Sequence, residues 1–262
     1  MVEYRFVNAA KRMNFVHMST LALDRSASGS QTEDAYLRLR DDIIAGALEP
    51  STKLRIDFLR STYGFGASAL REALSRLVSD GLVAVEAQRG FWVAPISREE
   101  LNDITAARQV IEVEALRQSI QFGTLEWESR VVAARHSLER FESSMQETSR
   151  EVIMGWERAN RAFHMALISG CPSSWLLRFT DLLYDQSQRY RHRTVLRRPI
   201  PRPGLSREHT EIVVATLARD ARRACALLSK HIEHTTRVVD DSIFNTGNGV
   251  GTMGDRAKKN NR

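Results

Sequence analysis

Residues 39–93 read LRDDIIAGALEPSTKLRIDFLRSTYGFGASALREALSRLVSDGLVAVEAQRGFWV. Thr32, just upstream, is placed to cap a first helix over 32–45 that carries Tyr36, Leu39, Ile43 and Ile44 on one side and ends at Gly46, ahead of Pro50. A shorter helix over 55–63 turns Leu54, Ile56 and Leu59 inward, and Gly64, Phe65 and Gly66 supply the turn after it. Ser68 then caps a third helix. Its apolar positions Leu70, Ala73, Leu74 and Leu77 recur at helical spacing and leave Ser68, Arg71, Glu72 and Ser75 on the opposite face. Beyond Gly81, Val83 and Val85 alternate with smaller or polar residues, and Gln88, Arg89 and Gly90 turn the chain into Phe91, Trp92 and Val93, which predicts a small two-stranded wing.

Three helices and a hairpin in this order predict a winged helix-turn-helix with its third helix in a DNA major groove. The expected DNA contacts are Ser68, Arg71 and Ser75 on that helix and Arg89 at the wing tip, where Gly90 permits a tight turn beside a phosphate or the minor groove. A winged helix used only for protein contacts has the same pattern.

After Pro95 the signals become helical throughout. Ser97 followed by Glu100 reads as a capping box, and helices are expected near 98–121, 124–148, 151–169, 172–195, 205–219 and 220–243. The fold class is therefore mainly α: an N-terminal winged helix-turn-helix followed by an all-α antiparallel bundle of six helices. The expected division is a flexible lead over 1–31, a DNA-binding domain over 32–96, an effector domain over 97–244 and a disordered basic tail over 245–262.

Several polar residues fall where packing asks for apolar ones. Arg108 shares a stripe with Leu101, Ile104, Ile111 and Ala115, so it needs an anion: either Glu112 one turn on, or the carboxylate of a bound effector. Asn160 and His164 lie on the side marked by Trp156, Phe163 and Leu167; His209 is in register with Ile212, Val213 and Thr216; His231 follows Leu227 and Leu228. Taken singly, each histidine reads as a satisfied core residue. Three on facing stripes, with Asn160 four residues before one of them, read as one metal or polar-ligand site made of Asn160, His164, His209 and His231, with Arg108 as a further effector contact. His17, His136, His192 and His234 lack such company.

Composition narrows the alternatives. With 262 residues, 42% of them hydrophobic, the chain can fill two cores. Its two cysteines, Cys171 and Cys225, form no CxxC pair, so neither a disulfide framework nor a sulfur metal site is expected and a cytoplasmic location follows. No apolar run is long enough to cross a bilayer and no export signal opens the chain, so no membrane association is expected. The net charge of +6 is concentrated in seven arginines over 189–207; removing them takes the sum to −1, so bulk charge is no DNA footprint. That run reads as a solvated helix end and loop, with the entrance for an acidic effector as the alternative. No HExxH or nucleophile motif is present, and the chain is read as no enzyme. Two competing readings stand beside this: a metal-dependent hydrolase using Glu208 or Glu211 as general base, and an architectural DNA binder that senses nothing.

Residues 39–93 resemble the winged helix of the GntR family of bacterial repressors, through Arg71-Glu72-Ala73-Leu74 and Gly81-Leu82-Val83. The resemblance implies a DNA-contacting role for Arg71. Where the family commonly shows Ser-Arg-Thr-Pro, this chain has Gly66, Ala67, Ser68 and Ala69, so a second base-reading arginine is missing at Ala67. Residues 98–240 resemble the FCD effector domain of the same regulators, through Arg108 with Glu112, Asn160 with Phe163 and His164, Glu208 with His209, and His231. This implies a divalent metal, zinc or nickel, bound by the three histidines and an acidic residue whose place Asn160 takes here, one charge fewer for a hard ion. The segments RQVIEVEAL, EWESRVV, FHMALISGC and QRYR resemble the subgroup containing the carbon-starvation regulator of dicarboxylate catabolism, which implies a glutarate-like effector among C4–C6 dicarboxylates. Together the resemblances imply a metabolite-responsive repressor acting as a homodimer on palindromic double-stranded operator DNA.

Overall fold

The structure, a computed structural model, describes residues 31–86, 89–144, 149–195 and 204–245. The expected N-terminal lead (but for Gln31), the basic tail after Asn245, and Ala87 and Gln88 of the wing lie outside the described residues.

The N-terminal unit runs α1 (Gln31–Ile44), β1 (Lys53–Leu54), α2 (Ile56–Tyr63), α3 (Ala67–Ser79), β2 (Val83–Glu86) and β3 (Gly90–Val93). Leu39 and Ile43 from α1, Leu59 from α2 and Leu70, Ala73, Leu74 and Leu77 from α3 close one core, as their spacing requires. Strands β2 and β3 pair antiparallel from Val83 opposite Val93 to Glu86 opposite Gly90, whose φ of 96° suits only glycine at the turn. The wing is wider than expected: β1 adds a third strand, with Lys53 opposite Trp92 and Leu54 opposite Phe91. Two residues are too short to display alternation, and Leu54, assigned to the second helix from its hydrophobicity, is buried in the sheet instead.

Two capping expectations are corrected. Thr32 sits inside α1 and donates to the Glu72 carboxylate at 3.1 Å. Ser68 lies in the first turn of α3, whose N-cap is Gly66 without any side-chain cap bond. Helix α3 begins earlier than a search for a hydroxyl cap indicates, because a glycine in extended conformation can serve at that position.

The second unit is α4 (Arg98–Phe122), α5 (Leu125–Ser144), α6 (Arg150–Ile168), α7 (Ser174–Val195), α8 (Leu205–Leu217) and α9 (Ala221–Phe244). Helix α4 packs on α9, α7 and α6, while α5 packs on α6 and α8. The capping box forms by half. Ser97 Oγ accepts the Glu100 N–H at 3.0 Å, but the Glu100 carboxylate turns to the Tyr190 hydroxyl, and Ser97 N–H donates to Tyr190 at 3.2 Å. Among the described residues no helix is long and apolar enough to cross a membrane.

The bundle core is built around Trp127, Trp156, Phe163 and Leu167. The indole of Trp127 donates to the Ala166 carbonyl at 3.0 Å, and its ring occupies the space a side chain on Gly123 would need. A Cβ there would lie 2.2 Å from a Trp127 ring carbon and 2.5 Å from the Ser119 carbonyl oxygen. Gly123→Ala should therefore lower the chemical-denaturation midpoint of the full chain by an amount equivalent to about 1–3 kcal/mol of overpacking strain.

Candidate effector and metal site

Three helices deliver the histidines to one place: α6 carries His164, α8 carries His209 and α9 carries His231. One ligand nitrogen from each lies within 4.8 Å of the others, and all three side chains are buried. Their ring centroids are 4.7 Å apart for His209 and His231, 5.2 Å for His164 and His231, and 6.0 Å for His164 and His209. Phe163 packs against His209 at 5.0 Å, closing the apolar side.

Each imidazole is oriented by what surrounds it. His209 Nδ1 lies 2.7 Å from Glu142 Oε1, and the other Glu142 oxygen accepts from Arg135 at 3.1 Å. Arg135 is itself held by Ser206 Oγ at 2.9 Å and Thr210 Oγ1 at 3.0 Å. Burial pushes the Glu142 carboxyl up, but the hydrogen bond from His209, then Ser206 and the charge of Arg135, outweigh it and bring the group below its usual range. An ionised carboxylate can only accept, so the His209 proton sits on Nδ1 and Nε2 keeps its lone pair. That Nε2 is buried with no hydrogen-bond partner among the described residues. His164 Nδ1 is in the same condition, 4.0 Å from Glu112 Oε2. The two oxygens of Glu208 face His231 Nδ1 at 3.0 Å and His234 Nδ1 at 2.8 Å.

Asn160, one turn before His164, is buried and donates its amide to the Tyr184 hydroxyl at 2.9 Å, leaving its carbonyl oxygen as the atom it can offer a cation. Arg191 donates to the same hydroxyl at 3.0 Å and pairs with Glu157 at 2.8 Å. Arg108 is buried and pairs with Glu112 at 2.5 Å, donates to Ser187 Oγ at 2.8 Å and lies 5.4 Å from the centre of the Tyr184 ring. Of the two anions considered for Arg108, the internal one is in place.

The residues expected to contact DNA are all exposed. Ser68, Arg71 and Ser75 are exposed along α3; Ser75 Oγ donates back to the Arg71 carbonyl at 2.9 Å, and the exposed Arg89 pairs with Glu86 at 3.3 Å.

Two family patterns match these two units. The one described as "Bacterial regulatory proteins, gntR family" covers residues 31–93, and the FCD domain covers residues 103–234. A relative in Paraburkholderia xenovorans (strain LB400), named "Uncharacterized HTH-type transcriptional regulator BphR", is 42% identical over 210 residues, 80% of this chain and 85% of that protein. The chain belongs to the GntR family. A second relative of this GntR regulator, "HTH-type transcriptional repressor GlaR" of Escherichia coli (strain K12), is 38% identical over 76% of this chain and 91% of its own length. Among solved structures, E. coli McbR/YncC shares the fold with a TM-score of 0.68 at 20% identity, covering 81% of this chain and 98% of that one. A putative GntR regulator from Rhodococcus sp. RHA1 does so at 0.65 and 24%, covering 80% and 98%. The chain is thus a DNA-binding transcriptional regulator with an effector-binding domain, and its families and relatives are regulators rather than enzymes, which removes the hydrolase alternative.

The GntR regulator departs from expectation at the arginine run. Arg189 and Arg191 are buried, not solvated, because α7 packs against α1, α4, α6 and α9 and both guanidiniums find acceptors there; residues 196–203 lie outside the described residues. His234, read as ordinary, hydrogen-bonds Glu208, and His192 is buried with its basicity lowered by desolvation. Glu142, Arg135 and Tyr184 were not singled out in the sequence. A signal for the first two existed. Along α5, Val131, Arg135, Leu138 and Glu142 form one buried stripe, so the reasoning that flagged Arg108 also flags them.

Burial, followed by the fields of His231, His209, Arg108 and Arg191, holds His164 well below the ordinary imidazole range, and burial holds His209 down against the pull of Glu142. Both stay neutral in the folded protein while the unfolded chain's imidazoles take up protons. Stability is therefore fully present above the unfolded value of about 6.5 and falls as pH drops below it, by up to about 1.4 kcal/mol per pH unit for each histidine. Urea midpoints of chelator-treated protein should decline steadily from pH 7 to pH 5.5; a flat profile contradicts the assignment of neutral buried rings.

Proposed function

We propose that this GntR regulator is a metabolite-responsive repressor, a homodimer on a palindromic operator, whose FCD domain binds a small carboxylic acid with the help of a divalent metal. The observation that carries the reading is the buried set of His164, His209 and His231, with two ring nitrogens that have no hydrogen-bond partner among the described residues. Burying an imidazole nitrogen without a partner is costly, and a metal ion is the ligand that repays it at such spacing. The donor set fits zinc or nickel, with the Asn160 carbonyl as a neutral fourth donor. When bound, such an ion supplies a Lewis-acidic contact for a carboxylate. The repressor role is supported by the E. coli relative GlaR, which is named a transcriptional repressor.

The protein's own residues do the rest. Glu142 and Glu208 keep His209 and His231 oriented, and the apolar Phe163 excludes water from one side. Arg108 offers a second anchor for an acid, at the cost of loosening its bond to Glu112 and Ser187. An effector that draws Arg108 away binds one arrangement of the bundle better than the other. This differential affinity, about 1–3 kcal/mol in typical cases, is what can move the operator equilibrium. A C4–C6 dicarboxylate has the two charges to meet both anchors.

The test is a thermal-shift screen of C4–C6 dicarboxylates with zinc and with chelator. Ligand at a hundred times its dissociation constant should add about 2.7 kcal/mol, seen only with metal present. His209→Ala should abolish the zinc-dependent shift while operator binding persists. A regulator that senses nothing, the architectural alternative, gives no shift with any acid. On the DNA side, Arg71→Ala should cost about 1–3 kcal/mol of operator affinity, and Ser68, Ser75 and Arg89 make up the rest of the proposed contact surface.

A further inference from the structure

Helix α7 has two polar faces with different duties. Tyr184, Ser187 and Arg191, spaced three and four apart, meet Asn160, Arg108 and Glu157 around the histidine cluster. Asp185, Gln186 and Arg189 point to the DNA-reading unit. Arg40 of α1 donates two bonds to Asp185 Oδ2, at 2.8 and 2.5 Å; Gln186 donates to the Asp80 carbonyl at 2.5 Å; Arg189 donates to the Ala94 and Pro95 carbonyls, both at 2.8 Å. Asp80 is the C-cap of α3, the helix that carries Arg71, and its carboxylate also holds Tyr36 of α1 at 2.8 Å. Ala94 and Pro95 lie between the wing and α4.

The two faces share members. The other Asp185 oxygen takes Arg161 at 2.5 Å, and the Arg161 guanidinium lies 5.1 Å from the centre of the Tyr184 ring, beside Asn160 in the chain. A shift of Tyr184 therefore disturbs Arg161, and with it the carboxylate that Arg40 grips. Asp185, Gln186 and Arg189 are all buried, and buried charge and amide contacts of this kind select one geometry more than they add net stability.

We propose that Asp185 and Gln186 are positioning residues for operator binding: through Arg40 and Asp80 they hold α1 and α3 at one orientation to the effector domain, and Tyr184 sets that hold from the side of the histidine cluster. The contacts touch no DNA-facing residue named above, and the sensing role of Tyr184 rests on the function proposed for that cluster.

The experiment needs no effector. Full-length Arg40→Gln, Gln186→Ala and the double variant leave no buried charge without a partner: Asp185 keeps Arg161, and Arg189, which loses the Gln186 amide oxygen, keeps the Ala94 and Pro95 carbonyls. With a duplex selected from a random pool by the wild-type protein, the double variant should bind about three- to thirtyfold more weakly. Its salt dependence should keep the wild-type slope, because no phosphate contact is lost. Hydrogen exchange should quicken in α1 and the last turn of α3 but not at the histidine cluster. Tyr184→Phe should quicken the same α1 and α3 amides, and add nothing further in the double-variant background. Unchanged operator affinity and exchange in the double variant overturn the proposal, as does a flattened salt slope, which makes Arg40 a phosphate contact instead, or an additive effect of Tyr184→Phe. Since neither metal nor acid is present, failure of the zinc-dependent thermal shift reports on the histidine cluster's ligand alone and leaves these outcomes readable.

Discussion

Taking three imidazoles out of water in the middle of a helical bundle obliges the surrounding helices to arrange themselves around those rings. A buried ring nitrogen must be given a hydrogen-bond partner or a ligand, and each partner must in turn be satisfied. From His209 the requirement passes to Glu142, then to Arg135, then to Ser206 and Thr210, so α5 and α8 are tied together by one polar chain. From His231 it passes to Glu208, binding α9 to α8. From Asn160 it passes to Tyr184, Arg191 and Glu157, joining α6 to α7. His209 Nε2 and His164 Nδ1 are left without a hydrogen-bond partner among the described residues, and they are the atoms on which the proposed ligand rests.

The same accounting explains why the second half of α7 carries buried polar side chains on two faces. It supplies satisfied polar groups to the histidine cluster on one side and to the DNA-reading unit on the other, with Tyr184 and Asp185 adjacent in the chain. A helix is stiff over two turns, so contacts on its opposite faces cannot move independently. Arginines 189 and 191 belong to this role and not to solvent. In the sequence they looked like the start of a solvated basic run because nothing local distinguishes an arginine with buried acceptors from one in water.

Element type and core residues were legible because periodicity is a local property of strong, repeated signals. The six helices of the second unit and the buried Leu70, Ala73, Leu74 and Leu77 of α3 follow from it. Weak or pairwise signals were not legible. Strand β1 has two residues and exists only because β3 lies beside it. The cap at Gly66 carries no side-chain mark. The Ser97 box is half-formed because the hydroxyl of Tyr190, ninety-three residues away, competes for Glu100.

By itself the amino-acid order determined that the chain would be a winged helix followed by a helical bundle, and that Arg108, Asn160, His164, His209 and His231 would face inward, since hydrophobic spacing sets which side of a helix leaves water. Only the tertiary structure decided that three of those rings meet within 4.8 Å, that Glu142 and Glu208 orient two of them, and that Arg40 closes on Asp185 from the other unit. Those are meetings between residues far apart in the chain. Their geometry is set by how whole helices pack against one another, which no local pattern encodes.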